Sequence, residues 1–175
     1  MSAILKPPIG ANDHVQGPAR APVTIVEYGD YECSYCGQAY PIVKALQKRL
    51  GDQVRLVFRN FPLGKEMHPH AEHAAEAAEA AGAQDKYWEM HDLLYENQDA
   101  LEDEDLLQYA RALGLDEPRF VREMSEHQHA ARVRDDFHSG VRSGVNGTPT
   151  FFINGERHDG PFDLRSLLAA IEDAT

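Results

Sequence analysis

Cysteine is scarce in this chain, with two among 175 residues, Cys33 and Cys36. Two thiols cannot build the disulfide framework that staples small secreted domains, so the fold has to rest on an apolar core. No run of 18 apolar residues occurs, which argues against a membrane span. Basic residues are outnumbered, 17 Lys and Arg against 29 Asp and Glu, for a formal net charge of −12. A field of that sign repels phosphate backbones, and nucleic acid is not an expected partner. No G-x-G-x-x-G follows a strand-like segment, so the fingerprint of a flavin or nicotinamide site is missing. The opening stretch MSAILKPPIGANDHV has a short apolar patch broken by Pro7 and Pro8 rather than the long apolar segment of a secretory signal. The chain as written is expected in the cytoplasm. A mature exported protein with an added methionine would read the same, which keeps a periplasmic or extracytoplasmic setting as the alternative.

What is present is enough apolar material, 42%, for a real core in one domain or one domain with a large insert. Residues 1–19, rich in Pro, Gly and Ala, read as an irregular arm. Val23, Thr24, Ile25 and Val26 form a nearly continuous β-prone run, the mark of a buried strand. After the cysteines, Ile42, Val43, Leu46 and Leu50 fall near helical spacing, with Gly51 as the stop and a kink expected at Pro41. VRLVFRNFP is a second strand, so the first third is a βαβ unit with a parallel pair. Residues 66–143 read as helical throughout, from HPHAEHAAEAAEAAGA, dominated by Ala and Glu, to the stretch ending at Gly144. Phe151 to Ile153 followed by Asn154-Gly155 signals a hairpin, and Asp163 caps a last helix lined by Leu164, Leu167, Leu168 and Ile171. The order βαβ, helical block, ββα makes residues 20–65 and 144–175 one α/β domain and the helical block an insert, because neither β-containing part completes a sheet alone.

The cysteine pair carries the chemistry. At a helix start, residues three apart lie within the Cα separation of about 4.4–6.8 Å that a disulfide needs. The strand-to-helix context puts Cys33 at the helix N-terminus, where free N–H groups and the macrodipole favour a thiolate. Such a first thiol falls from a pKa of about 8.5 into the range of about 3.5–7.5. Cys36, one turn in, is the resolving thiol that attacks a mixed disulfide on Cys33. Half of a zinc site is the rival reading, but no histidine stands at finger-like spacing after Cys36. A purely structural disulfide would close too short a loop to stabilise much.

The strand, CSYC and the distant GTPTFFING together resemble a thiol–disulfide oxidoreductase of the DsbA-like group of the thioredoxin superfamily, over roughly residues 20–175. The resemblance implies a thioredoxin fold with a helical insert, and no cofactor beyond the Cys33–Cys36 pair. It implies that Pro149 is a cis proline packed against that pair and that Thr148 touches bound peptide. It also implies that Glu27 lies beneath Cys36 and relays its proton, a role that a pKa raised by burial would suit. Relatives often have proline after the first cysteine. Here Ser34 and Tyr35 fill the gap, so the redox potential and the direction of electron flow stay open. Tyr35 is either an exposed aromatic that meets unfolded chains or a half-buried loop residue.

Expected partners are protein thiols and disulfides, with glutathione or a redox partner protein as further candidates. The protein is expected to be a monomer or weak dimer. Two alternatives stand: a glutathione-linked transferase or isomerase on the same fold, and a non-catalytic module using the cysteines as redox latch or metal clip. His68, His70 and His73, and later His127, His129 and His138, read as solvated histidines, with His70 and His73 on one helix face, and no metal site is expected. Glu72, Glu76 and Glu79 read as a solvated helix face.

Overall fold

The computed structural model describes residues 2–175. In chain order the elements are β1 (His14–Gln16), β2 (Val23–Gly29), α1 (Ser34–Leu50), β3 (Val54–Asn60), α2 (Ala71–Gly82), α3 (Tyr87–Glu96), α4 (Asp103–Ala112), α5 (Glu117–Ser125), α6 (Ala130–Arg142), β4 (Thr150–Ile153), β5 (Glu156–Arg157) and α7 (Leu164–Asp173). The sheet order is β1-β3-β2-β4-β5. β2 and β3 are parallel, as a βαβ unit requires, and the other pairings are antiparallel. Helices α2 to α6 fall between β3 and β4, so the sheet is assembled from the two ends of the chain.

Every residue of β2 is buried, because it is the central strand with helices on both faces. Ile25, Leu56, Phe151 and Ile153 pack on one face against Val43 and Leu46 of α1 and Leu167 and Ile171 of α7. Val26, Tyr28, Val57 and Phe152 fill the other face with Phe61, Val145 and Phe137 of α6. A third cluster joins sheet to insert: Phe58, Tyr31, Cys33 and Cys36 meet the alanines of α2, Met90 and Leu94 of α3, and Phe120 of α5. Both cysteines therefore sit where the two parts of the protein meet.

Local signals work as read at several ends. Gly51 caps α1 at φ 52°, Asp116 accepts from Arg119 N–H at 3.1 Å, and Asp163 accepts from Ser166 N–H at 3.0 Å. Asn154 and Gly155 both have positive φ, which the two-residue hairpin turn between β4 and β5 needs.

Two expectations change. The arm is not irregular throughout: residues 14–16 form β1 and pair with Leu56 to Phe58, while Leu5 is buried. A three-residue edge strand is too short to show a period, and what holds it is remote. Arg59 donates to both carboxylate oxygens of Asp13, each at 2.9 Å, and to the Pro7 carbonyl at 3.1 Å. The glutamate face of α2 is not solvated either, for Glu76 and Glu79 are buried. α2 lies inside the block, covered by α3, α4, α5 and α6 on several sides. Glu79 is matched there by His14 at 2.9 Å, Asn60 at 3.1 Å and Arg132 at 3.9 Å. Pro41 lies inside α1, which runs without a break from Ser34 to Leu50.

Gly29 ends β2 at the junction of sheet and insert. A methyl there would lie 2.5 Å from the Phe58 ring and 2.7 Å from the Tyr95 hydroxyl, both buried and packed from several sides. Gly29→Ala is expected to lower stability by about 1–3 kcal/mol, the usual cost of overpacking. A denaturant titration showing an unchanged midpoint would contradict that packing.

Candidate active site

β2 delivers the chain to the site, and a tight turn hands it to α1. Cys33 is the residue that caps α1, with extended backbone at φ −74° and ψ 124°. Its N–H donates to the Asp30 carbonyl at 3.1 Å, and its carbonyl accepts from Gly37 N–H at 3.0 Å. The turn is pinned from three directions. The buried Asp30 carboxylate accepts from Glu32 N–H at 2.7 Å and Leu63 N–H at 2.8 Å, and meets His68 Nδ1 at 2.7 Å. Glu32 in turn accepts from His70 N–H at 2.9 Å and meets its Nδ1 at 2.7 Å. From the insert, Gln98 Nε2 donates to the carbonyls of Tyr31 at 3.0 Å and Cys33 at 2.8 Å.

The two sulfurs are both free thiols and differ in surroundings. Cys33 is 4% exposed and Cys36 is fully buried. The Cys33 thiol is pulled down to about 5. The largest cause is a hydrogen bond from Cys36, which outweighs burial, and Thr148 and the backbone N–H groups of Cys36 and Tyr35 add to it. Cys36 is pushed up, first by burial, then by Cys33 and by the charge of Glu27. The surroundings thus favour the thiolate at Cys33 and the protonated thiol at Cys36.

The remaining predicted residues gather around this pair, with different surroundings. Glu27 lies on β2, buried, with no hydrogen-bond partner among the described residues, and burial raises its pKa to about 8. Cys33 Sγ lies 3.6 Å from the Thr148 carbonyl, and the Thr148–Pro149 peptide bond is cis. The Thr148 hydroxyl is buried without a partner. Ser34 opens α1 and is exposed. Tyr35 is 60% exposed, which settles it as a surface aromatic. Met67, 67% exposed, stands in the loop that also carries His68. Beneath the pair lies an aromatic floor of Tyr31, Phe58, Tyr87, Tyr95 and His91. Burial drives His91 down to about 3, so its ring is neutral against the Tyr31 hydroxyl, 3.0 Å away.

Asp30, Gln98 and Met67 were not legible as site residues. Asp30 had a signal, an acidic residue three positions before Cys33 at the end of a buried strand. Gln98 had none, since only the tertiary fold brings it to the cysteine turn, and Met67 is simply an exposed residue of the loop that carries His68. His68, His70, His73, His127 and His129 each face a carboxylate; His70, His73 and His127 are open to solvent as expected, while His68 and His129 are largely covered. His70 and His73 do not act together, because one turns to Glu32 and the other to Asp103. Among the described residues no third metal-ligating side chain joins the two sulfurs.

The chain matches the family described as Thioredoxin over residues 10–173. It is 51% identical over 164 residues to a protein of Salinispora tropica named Na(+)/H(+) antiporter NhaA 3, a match that takes in 93% of this chain and 24% of that one. The chain therefore spans about a quarter of the length of the curated relatives it matches first. No described helix is long and apolar enough to cross a membrane. Among solved structures, a thioredoxin-like oxidoreductase from Silicibacter pomeroyi superimposes with a TM-score of 0.82 at 32% identity, covering 94% of this chain and 93% of that one. BdbD from Bacillus subtilis superimposes with a TM-score of 0.86 at 24% identity, covering 99% and 98%. With a parallel strand pair, a helix-capping cysteine pair and a helical block set into the sheet order, the chain belongs to the thioredoxin family and has its DsbA-like fold.

Proposed function

We propose that this chain is a protein disulfide oxidoreductase working in the oxidising direction, with the Cys33–Cys36 disulfide as its only redox group. The observation that carries this reading is the Cys33 thiol held at about 5 beside a Cys36 thiol that stays protonated. A stabilised thiolate favours the reduced form of the pair, and a pair that prefers to be reduced oxidises others. The named oxidoreductase from Silicibacter pomeroyi, at 32% identity, supports it. The transporter names of the longer relatives describe whole proteins, and exchange chemistry is the contribution we assign to this segment.

In the proposed reaction a substrate thiolate attacks Cys33 Sγ of the oxidised pair. The Cys33–Cys36 bond breaks, the mixed disulfide forms, and Cys36 leaves with the electron pair. Glu27, protonated below about pH 8, gives Cys36 its proton. A second substrate thiolate then attacks the substrate sulfur of the mixed disulfide and releases Cys33 as thiolate. Two electrons pass from the substrate dithiol to the pair. Tyr35 and Pro149 would offer apolar surface beside the sulfur. Ser34 lines the approach, and the Thr148 backbone and its unpartnered hydroxyl would meet an extended substrate segment. An oxidant of this kind works where thiols are not kept reduced, which points to a setting outside the cytosol rather than the cytoplasm.

Glu27→Gln tests the proton step. Reduction of the pair by a model dithiol is expected to slow by roughly 10²-fold. Once divided by the thiolate fraction of the attacking dithiol, the native rate should decline as pH rises through about 8, where Glu27 loses its proton, while the variant shows no such inflection. Stopped-flow rates against pH measure both, and a variant that keeps the native rate and inflection would remove Glu27 from the mechanism.

A further inference from the structure

Away from the cysteine loop, α2 and the turn joining α5 to α6 bring three metal-type side chains together. A ring nitrogen of His73, one of His127 and a carboxylate oxygen of Glu76 all lie within 4.8 Å of one another. His73 and Glu76 are three residues apart on α2 and share a face. His127 comes from the turn, at φ 52°, a left-handed conformation uncommon outside glycine. None of the three is hydrogen-bonded to the cysteine loop.

Glu76 is the informative member. A buried carboxylate needs a compensating cation. The other buried carboxylates of the insert each face a guanidinium: Glu79 and Asp136 face Arg132, and Glu123 faces Arg119 at 2.6 Å. Glu76 is buried just as deeply, yet its one side-chain partner among the described residues is His127 Nδ1 at 3.1 Å. Behind His73, Asp103 Oδ1 meets Nδ1 at 2.9 Å, the arrangement by which a carboxylate fixes a ligating imidazole. A cleft of about 410 Å³ opens beside the group, lined by His73, Asp103, His127, Leu106, Phe120 and Met124. It leaves room for a further ligand.

We propose that His73, Glu76 and His127 form a binding site for a divalent transition metal of the zinc class, with Asp103 orienting His73. Two imidazoles and one carboxylate with an open fourth position suit zinc and its neighbours. Calcium and magnesium prefer oxygen throughout. Tetrahedral bonds of about 2.0–2.2 Å put ligand atoms about 3.3 Å apart, so the trio must draw in slightly. His127 can supply that movement, since its side chain is 57% exposed. The metal would replace the Glu76–His127 hydrogen bond and pin α2 to the α5–α6 turn.

Thiols are good zinc ligands in general, so the test uses the full chain carrying Cys33→Ser and Cys36→Ser. Titration with Co(II) is expected to give one equivalent bound, with d–d absorption, no sulfur-to-metal charge-transfer band, and displacement by Zn(II). His73→Ala and His127→Ala should each weaken binding by about 100-fold or more, Asp103→Asn by about 10–100-fold, and His138→Ala not at all. Zn(II) should raise the melting temperature of the Cys-free chain and leave that of its His127→Ala form, whatever its starting value, unmoved. Absence of stoichiometric binding, or binding that survives His73→Ala or His127→Ala, would overturn the site.

Discussion

A Cys33→Ser protein is expected to lose disulfide exchange to background, both in insulin reduction and in the oxidative refolding of a reduced ribonuclease. The reason is geometric as well as chemical. Cys36 is fully enclosed and its thiol is driven up by burial, so it can neither be reached by a substrate nor ionise readily at neutral pH. Serine in place of Cys33 would keep the shape of the turn but offers no sulfur to attack and no thiolate. The complementary Cys36→Ser protein should do the opposite and accumulate. Offered a disulfide-containing protein, its Cys33 thiolate attacks one sulfur, expels the other as thiolate and, with no Cys36 to displace the bound sulfur, stays as a covalent adduct visible by mass spectrometry. Full activity in the Cys33→Ser protein would remove the mechanism. Glutathione-dependent turnover by that same protein would bring back the glutathione-linked alternative.

The second large effect concerns the poise of the pair. With the Cys33 thiol at about 5, at pH 7 the reduced form is favoured by about two pKa units, about 3 kcal/mol. On the two-electron scale that is about 60 mV towards oxidising power. The equilibrium potential, measured against glutathione, is therefore expected in the oxidising half of the span from about −270 mV to about −120 mV. A value near −270 mV would contradict the proposed direction. The same ionisation governs stability. Because the folded thiol lies below its unfolded value of about 9, its contribution is complete above about pH 9 and fades as pH falls towards about 5. Denaturant midpoints of the reduced protein should decline across that window. Those of Cys33→Ser should not, and parallel curves would show that the thiolate is not held as described.

Much of this was readable because it is local. The β2 run, the helix start at Cys33 and the caps at Asp116 and Asp163 depend on residues within a few positions of one another. The cysteine pair was named from motif and spacing, and Glu27 from the family resemblance. What escaped depends on distant partners. Asn60 and Arg132 decide that Glu79 is inside, and nothing near Glu79 in the chain says so. Alternating Ala and Glu looks the same on a helix that faces water and on one enclosed by four others. Gln98 is invisible for the same reason: its two hydrogen bonds to the cysteine turn exist only once the insert has docked.

The short strand made by the arm has a role beyond its length. One margin of the sheet is β3, whose backbone would otherwise face outward over seven residues, and β1 covers part of it. At the far margin, Ile4 bridges Glu156 and the Leu5 N–H reaches the Gly155 carbonyl at 2.8 Å. A single N-terminal ribbon thus hems the sheet on both sides, hiding backbone groups that would invite another copy to stitch on. On the proposed function, a visiting chain would then meet the surface beside Cys33 rather than an open sheet margin.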